Sequence, residues 1–161
     1  MQNVLIIYYP LGEVSKVAQR MKNIFEKEKL IVDTEEITLK KEMTLNAQFK
    51  KEKKLELTNK IKSFSKYDLI VIGTPIISFT SVPAVNAFIR SMEHIENKNF
   101  ILYATSIGLP GKGIKKMTSL LSMKKATVVA FKVFSSIFEF NEKKLKEVDL
   151  FVESIKLEKL S

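Results

Sequence analysis

Five short apolar segments recur along the chain with amphipathic segments between them, and this alternation restricts the fold more than any other feature. The apolar segments are rich in Ile, Val, Phe and Tyr and span 3–9, 30–38, 68–73, 100–105 and 126–134. Four of them are almost continuously apolar, which is typical of strands covered on both faces of a sheet. The segment 30–38 alternates with charged residues instead, which favours an edge strand.

The intervening segments carry apolar residues at the i, i+3, i+4 and i+7 spacing of amphipathic helices. The predicted helical stripes are Val14, Val17, Met21 and Phe25; Leu57, Ile61 and Phe64; Val85, Phe88, Ile89 and Met92; Ile114, Met117 and Leu121; and Leu145, Val148, Val152 and Ile155. Pro83 falls in the first turn of the third helix, and Asn141 is a candidate N-cap of the last one. The stretch from Leu39 to about Lys54 fits neither period and is predicted as a surface loop with a short helix.

Strands that alternate with helices in a chain of this length require a parallel sheet with right-handed crossovers and helices on both faces. We therefore predict a single α/β domain over residues 1–161, a three-layer, doubly wound five-stranded parallel sheet. Ligands of such sheets bind beyond the carboxyl ends of the strands, where the strand order reverses. The segments that follow the first, third and fourth strands are the predicted functional site.

Composition excludes several kinds of chemistry. With 45% hydrophobic residues among 161, the chain can bury a core without disulfides. It has no cysteine, which excludes disulfides, thiolate nucleophiles and cysteine-ligated clusters, and its single histidine, His94, excludes a multi-histidine metal site. The opening MQNVLIIYY is too short an apolar segment for a signal peptide or a membrane span. We expect a soluble, cytoplasmic protein with no membrane partner and no bound metal.

Three blocks of the sequence resemble the short-chain flavodoxin family. VLIIYYPLGEVSKVAQRM is similar to the first strand, phosphate loop and first helix of that family. YDLIVIGTPIISFTSVPAVNAFI is similar to its third strand and first flavin-flanking loop, and KNFILYATSIGLPGKGIKKM to its fourth strand and second flavin-flanking loop. The resemblance implies a flavodoxin-like fold with strand order 2-1-3-4-5 and an FMN site. It also implies a redox function, as an electron-transfer flavoprotein or a small FMN-dependent oxidoreductase without a dedicated catalytic residue.

The resemblance places the FMN phosphate in the loop after the first strand. The residues matched to this loop are Tyr9, Pro10, Leu11, Gly12, Glu13, Val14 and Ser15. Backbone amides at a helix start suit a dianionic phosphate, because they are unpaired and carry partial positive charge. The loop departs from the family pattern, since only Gly12 and Ser15 remain as candidate contacts to the phosphate. Glu13 also places a negative charge close to the negatively charged phosphate. An alternative is therefore a flavodoxin-fold binding or regulatory module that has lost FMN.

The two other loops are matched to the flavin ring. The first comprises Thr74, Pro75, Ile76, Ile77, Ser78 and Phe79, and the second comprises Thr105, Ser106, Ile107, Gly108 and Gly111. Ile76 and Ile77 stand nearest the place where the family commonly has an aromatic residue, and Phe79 is the only ring available. Apolar side chains can flank an isoalloxazine, because that ring is itself a flat apolar surface.

The charge of the chain bears on its partners. Lys and Arg number 27 against 18 acidic residues, a net charge of +9, and nine lysines with only three glutamates lie between Lys40 and Lys66. Electron carriers of the family are typically acidic, so this chain is expected to meet an acidic redox partner protein or a small electron acceptor. A solvated lysine-rich surface is the simpler interpretation of the run. Nucleic acid is a disfavoured partner, because aromatic residues are not regularly interleaved among these lysines. The sequence leaves open whether the protein forms a homodimer.

Overall fold

The structure is a computed structural model that describes residues 2–137, 140–155 and 157. Strands and helices alternate along the chain. The elements are β1 (Asn3–Tyr8), α1 (Val14–Lys27), β2 (Ile31–Glu36), α2 (Leu45–Lys50), a 3-10 turn (Glu52–Lys54), β3 (Leu69–Ile77), β4 (Thr80–Ser81), α3 (Pro83–Ser91), β5 (Asn99–Ser106), α4 (Gly113–Met123), β6 (Thr127–Ser135) and α5 (Glu142–Ser154).

The five long strands form a parallel sheet in the order β2-β1-β3-β5-β6, and the two-residue β4 pairs antiparallel with β3. Without β4 this is the predicted order 2-1-3-4-5, so the doubly wound α/β prediction is confirmed. The strand order reverses between β1 and β3. Tyr8 pairs there with Gly73, whereas β3 and β5 continue together as far as Pro75 and Thr105.

Alternate side chains of each central strand enter two separate cores, because successive residues of a strand point to opposite faces. Val4 and Ile6 pack with α1 and α5, while Leu5 and Ile7 pack with α3 and α4.

The residues predicted to start two of the helices also agree with the structure. Pro83 is the first residue of α3, and the Asn141 side chain accepts from the Lys144 amide at 3.3 Å to cap α5.

The predicted helix over Leu57, Ile61 and Phe64 is wrong. The chain from 55 to 62 is extended, with Leu57 and Ile61 turned inward and every second residue exposed. Buried Asn59 fixes this path, because its Nδ2 donates to the Glu36 carbonyl at 3.0 Å. The short helix expected between Leu39 and Lys54 is present as α2.

The expectation that the strand at 126–134 is covered on both faces is also wrong. This segment is β6, the second edge of the sheet, and it is mostly half-buried or exposed. Phe131 remains 61% exposed. An apolar run alone does not distinguish a central strand from an edge strand, because the covering helices are set by topology. Within the described residues, no helix has the length and apolar character needed to cross a membrane.

Candidate functional site at the carboxyl edge of the sheet

The three predicted site segments follow β1, β3 and β5, which are neighbours in the sheet, so the structure brings them to one edge. The first segment contains residues 9–13 and leads into α1. The second forms the end of β3 and its connection to β4, and the third contains residues 107–112 and leads into α4. This edge lies where the strand order reverses, which is the usual ligand site of such sheets.

Helix α1 begins without a side-chain cap. Glu13 occupies the N-cap position, but no side chain there accepts a hydrogen bond from the first turn. The first amides of α1 therefore have no partner within the helix and carry its partial positive charge. The Glu13 carboxylate lies 2.9 Å from the Lys16 ammonium. This ion pair offsets the negative charge of Glu13, which counted against a phosphate in the sequence analysis. Ser15 is half-buried in the first turn.

A buried tyrosine fixes this helix start to the sheet. Tyr103 of β5 is fully buried, and its hydroxyl donates to the carbonyl of Val14 at 2.9 Å. Its ring occupies the space beside Gly73, where an added Cβ would lie 2.1 Å from the Tyr103 Cζ. Burial also raises the pKa of Tyr103 well above its usual range, so the hydroxyl remains a donor. Sequence reasoning treated Tyr103 as a strand residue only and missed this role.

The segment predicted as the first flavin-flanking loop is a β-hairpin. β3 extends to Ile77 and pairs with Thr80, leaving Ser78 and Phe79 as a two-residue turn. Their φ angles are +51° and +61°, as a type I′ turn requires, although neither residue is the glycine or asparagine that tolerates this conformation well. The turn leaves the Phe79 side chain 65% exposed.

Thr74 has its hydroxyl engaged inside the fold. It is buried, donates to the Pro75 carbonyl at 2.9 Å, and accepts from the Val82 amide at 3.2 Å. Pro75 is buried as well. Of the first flanking segment, the half-buried Ile76 and Ile77 and the exposed turn are therefore the parts open to a ligand.

The third segment is fastened to the hairpin tip. The Lys112 amide donates to the Phe79 carbonyl at 2.7 Å. Gly111 is required at this contact, because its φ is +61° and a Cβ would approach the same carbonyl oxygen to 2.2 Å. On the other side, the Ser106 and Ser135 hydroxyls lie 2.8 Å apart and connect the segment to β6. Thr105 is also buried at the end of β5.

Large apolar side chains from all three segments are exposed at this edge. We call them the apolar rim, which consists of Leu11, Phe79, Ile107 and Leu109. Ile107 and Leu109 are 88% and 70% exposed. Single exposed apolar residues are ordinary, but several from separate loops at the edge where such sheets usually bind ligands make this edge a candidate surface for a ligand or partner.

A groove extends the site toward β2 and was not predicted. Tyr9, Pro10 and Leu11 line one side, the chain after β2 supplies Ile37 and Met43 opposite, and the volume is about 620 Å³. The Tyr9 hydroxyl accepts from Gln48 Nε2 at 3.0 Å, which docks α2 beside the first segment. The only available sequence signal was the stretch from Leu39 to Lys54 that fitted neither period.

The described residues contain no cluster of three or more His, Cys, Asp or Glu side chains that could hold a metal ion. Tyr8 is the last residue of β1, and its hydroxyl donates to the Glu36 carboxylate at 3.4 Å. Partial burial, and then the Glu36 charge, raise the pKa of Tyr8, which keeps it protonated at neutral pH. The edge thus offers amides, hydroxyls and apolar surface.

A five-stranded parallel sheet with helices on both faces and loops gathered at its reversal point defines a three-layer, doubly wound α/β protein. Comparison with solved structures makes the fold more specific: it is flavodoxin-like. A flavoprotein from Lactobacillus acidophilus, crystallised with FMN, aligns with a TM-score of 0.68 at 16% identity, over 94% of this chain and 98% of its own.

Two further structures support the same fold. A short-chain flavodoxin associated with a bacterial microcompartment aligns over 100% of both chains with a TM-score of 0.67 at 15% identity. Megasphaera elsdenii flavodoxin aligns with a TM-score of 0.61 at 14% identity, over 90% of this chain and 94% of its own. No protein-family model and no curated protein sequence matches the chain. The resemblance to flavodoxins read from the three sequence blocks is confirmed at the level of the fold.

Proposed function

We propose that the protein binds FMN at the carboxyl edge of the sheet and works as a flavodoxin-like redox protein. The observation that carries this proposal is the apolar rim, because its side chains come from three separate loops beside an uncapped helix start. A flavin has the same two parts, an apolar ring system and a charged phosphate. The similar Lactobacillus acidophilus structure contains FMN, which supports the choice of ligand.

The start of α1 fits the phosphate. The donors are the first-turn amides and the Ser15 hydroxyl, which substitute for the additional hydroxyls that the sequence lacks. The ion pair between Glu13 and Lys16 lowers the repulsion that the Glu13 carboxylate would exert on a dianion. The Tyr103 hydrogen bond to Val14 holds the donors in place. Position and donor chemistry therefore agree at this end of the site.

The apolar rim fits the ring system. Phe79 and Ile107 would exchange exposure to water for contact with a flat apolar surface, which is favourable. The hydrogen bond between Lys112 and Phe79 holds the two ring-facing segments at a fixed separation. The bound flavin would supply one- and two-electron chemistry, and the chain would tune it through backbone amides, charge and burial.

The remaining expectations from the sequence belong to this proposal. The electron partner is an acidic redox protein or a small electron acceptor, and we propose electron transport or an oxidoreductase activity in the cytoplasm. The proposed cofactor-binding residues lie in the three segments 9–15, 74–79 and 105–111, with the hydroxyl of Thr74 excluded as a direct contact.

The test is flavin binding by the purified protein and by a variant of the phosphate end. Protein from a riboflavin-supplied host should be yellow, and apo-protein should quench FMN fluorescence at micromolar concentrations. Ser15→Ala should weaken FMN binding by about tenfold to a hundredfold, since a hydrogen bond to a charged group contributes roughly 1.5–3 kcal/mol and about 1.4 kcal/mol is a factor of ten. Ser119→Ala, at an exposed position on α4, is the matched control and should bind normally.

Two results would contradict the proposal in different ways. Colourless protein that does not quench FMN fluorescence would favour the flavodoxin-fold module without FMN. Full affinity in Ser15→Ala would show that the phosphate contacts lie elsewhere even though the flavin binds.

A further inference from the structure

The connection between β2 and β3 carries much of the excess positive charge, and the proposed flavin site does not use it. We define the lysine lobe as residues 39–57, which include α2 and the 3-10 turn and contain six lysines and three glutamates. Glu56 pairs with Lys40 at 2.8 Å, and Glu52 pairs with Lys116 of α4 at 3.0 Å. Among the described residues, the lobe lysines without an ion pair are Lys41, Lys50, Lys51, Lys53 and Lys54.

Three of these unpaired lysines surround one depression. Lys41, Lys51 and Lys54 line a concavity of about 620 Å³ together with Met43 and the ion-paired Lys40 and Glu56, so its lining keeps a net charge of +3. Ammonium groups gathered around one concavity repel one another, and an anionic group placed among them removes that repulsion. The arrangement therefore favours a ligand with several neighbouring negative charges rather than a single small anion.

The lobe is held in a defined position. Its base is closed by the Lys40 amide, which donates to the Glu56 carbonyl at 2.9 Å, and Thr44 Oγ1 caps α2 by accepting from the Ala47 amide at 3.2 Å. Glu52 also accepts a hydrogen bond from Asn86, a buried residue of α3. A charged surface that is already ordered loses less conformational entropy when a partner binds.

The lobe also borders the proposed flavin site. Gln48 of α2 donates to the hydroxyl of Tyr9, the first residue of the proposed phosphate loop, at 3.0 Å. A protein that docks on the lobe therefore approaches the carboxyl edge where the flavin would bind. This position suits an electron-transfer complex, because electron transfer requires a short distance between the two redox centres.

We propose that the lysine lobe is the docking surface for an acidic redox partner protein, whose clustered carboxylates occupy the depression. This inference rests on the proposed flavin function. Charge complementarity of this kind raises association rates and selects partners. A nucleic acid is a weaker occupant, because the lobe's single aromatic residue, Phe49, is half-buried and offers no exposed ring for stacking bases.

The test compares two variants with equal loss of charge. The lobe variant carries Lys41→Gln, Lys51→Gln and Lys54→Gln. The control variant carries Lys115→Gln, Lys132→Gln and Lys143→Gln, which are exposed lysines on α4, β6 and α5. Two acidic probes are used: a fluorescein-labelled octaglutamate peptide, and a reduced acidic [2Fe–2S] ferredoxin that passes one electron to the FMN-loaded protein in a stopped-flow experiment. A fluorescein-labelled DNA duplex is the comparison ligand.

We expect the lobe variant to lose about tenfold in peptide affinity and in the second-order electron-transfer rate at low ionic strength. The control variant should change less than about twofold, and the difference should vanish near 0.5 M salt, where screening is strong. Equal losses in both variants would overturn the proposal, as would tighter, lobe-dependent binding of a DNA duplex than of the peptide.

Peptide binding is measured on apo-protein and on FMN-loaded protein. Lobe-dependent binding by apo-protein that cannot take up FMN would support the lysine lobe as a docking surface for acidic partners while refuting the flavin function. Normal FMN uptake with no lobe dependence in either probe would refute the docking surface alone.

Discussion

Replacing Gly73 by alanine should disturb both the stability of the protein and its proposed site. The added Cβ would lie 2.1 Å from Tyr103 Cζ and 2.3 Å from its hydroxyl oxygen, well inside van der Waals contact. Because Tyr103 is fully buried, its ring can move only by displacing the surrounding core. Overpacking of this kind costs about 1–3 kcal/mol. A displaced ring would also lose its hydrogen bond to Val14, which adds about 1–2 kcal/mol.

The expected loss is about 3 kcal/mol in the free energy of unfolding. With a urea m-value of about 2 kcal/mol/M, the unfolding midpoint should fall by about 1.5 M. FMN affinity should fall as well, because the start of α1 moves with Val14.

Gly108→Ala is the matched control for Gly73→Ala. Its φ is +83° and nothing lies near an added Cβ, so only backbone strain of about 1 kcal/mol is expected. Gly108→Ala serves as a control for stability only, because Gly108 belongs to a proposed flavin-binding segment. Chemical denaturation followed by circular dichroism measures the stability of both variants, and FMN titration is carried out on folded Gly73→Ala and on the unaltered protein. If Gly73→Ala unfolds within about 0.3 M urea of the unaltered protein, the close packing of Tyr103 against Gly73 is not a constraint.

Two other substitutions test the hairpin and the contact between α1 and α5. Phe79→Gly should raise the free energy of unfolding by about 0.5 kcal/mol, because glycine adopts the positive φ of this turn without strain. The same substitution should weaken FMN binding, because it removes a ring of the apolar rim. Unchanged FMN affinity would show that Phe79 is not part of the site. Asp149 accepts two hydrogen bonds from Arg20, each of 2.6 Å, and these lower the pKa of its carboxyl. The stabilisation that Asp149 gives the folded state is therefore fully present above the pKa of this carboxyl in the unfolded chain, near 4. It is lost as the pH falls through the lower pKa of the folded state. Asp149→Asn should cost about 1 kcal/mol at pH 7 and flatten the acid side of the stability profile; an unchanged acid limb would show that the pair is not linked to folding.

The confirmed parts of the fold follow from local patterns. The strands were found because four apolar segments and one alternating segment differ sharply from the amphipathic stretches between them. Pro83 and Asn141 marked helix starts because their effects depend only on neighbouring backbone. Alternation also led to the prediction that the site lies at the carboxyl edge, since parallel strands place all their carboxyl ends together.

The errors arose where long-range packing overrides a local period. Leu57 and Ile61 suit a helix by spacing, but Leu55, Leu57, Asn59 and Ile61 also alternate with exposed residues, and the extended form lets Asn59 bond to Glu36. The last strand is as apolar as a central one, and only the strand order makes it an edge.

The sequence by itself determined the five long strands, four of the five predicted helices, the doubly wound class and the three predicted site segments, because these follow from patterns of neighbouring residues in the chain. Tertiary structure alone decided which side chains meet there. Tyr103 reaches Val14, Lys112 meets Phe79, and Gln48 meets Tyr9 across long stretches of chain. Such contacts depend on sheet register and crossover geometry, which no single segment contains.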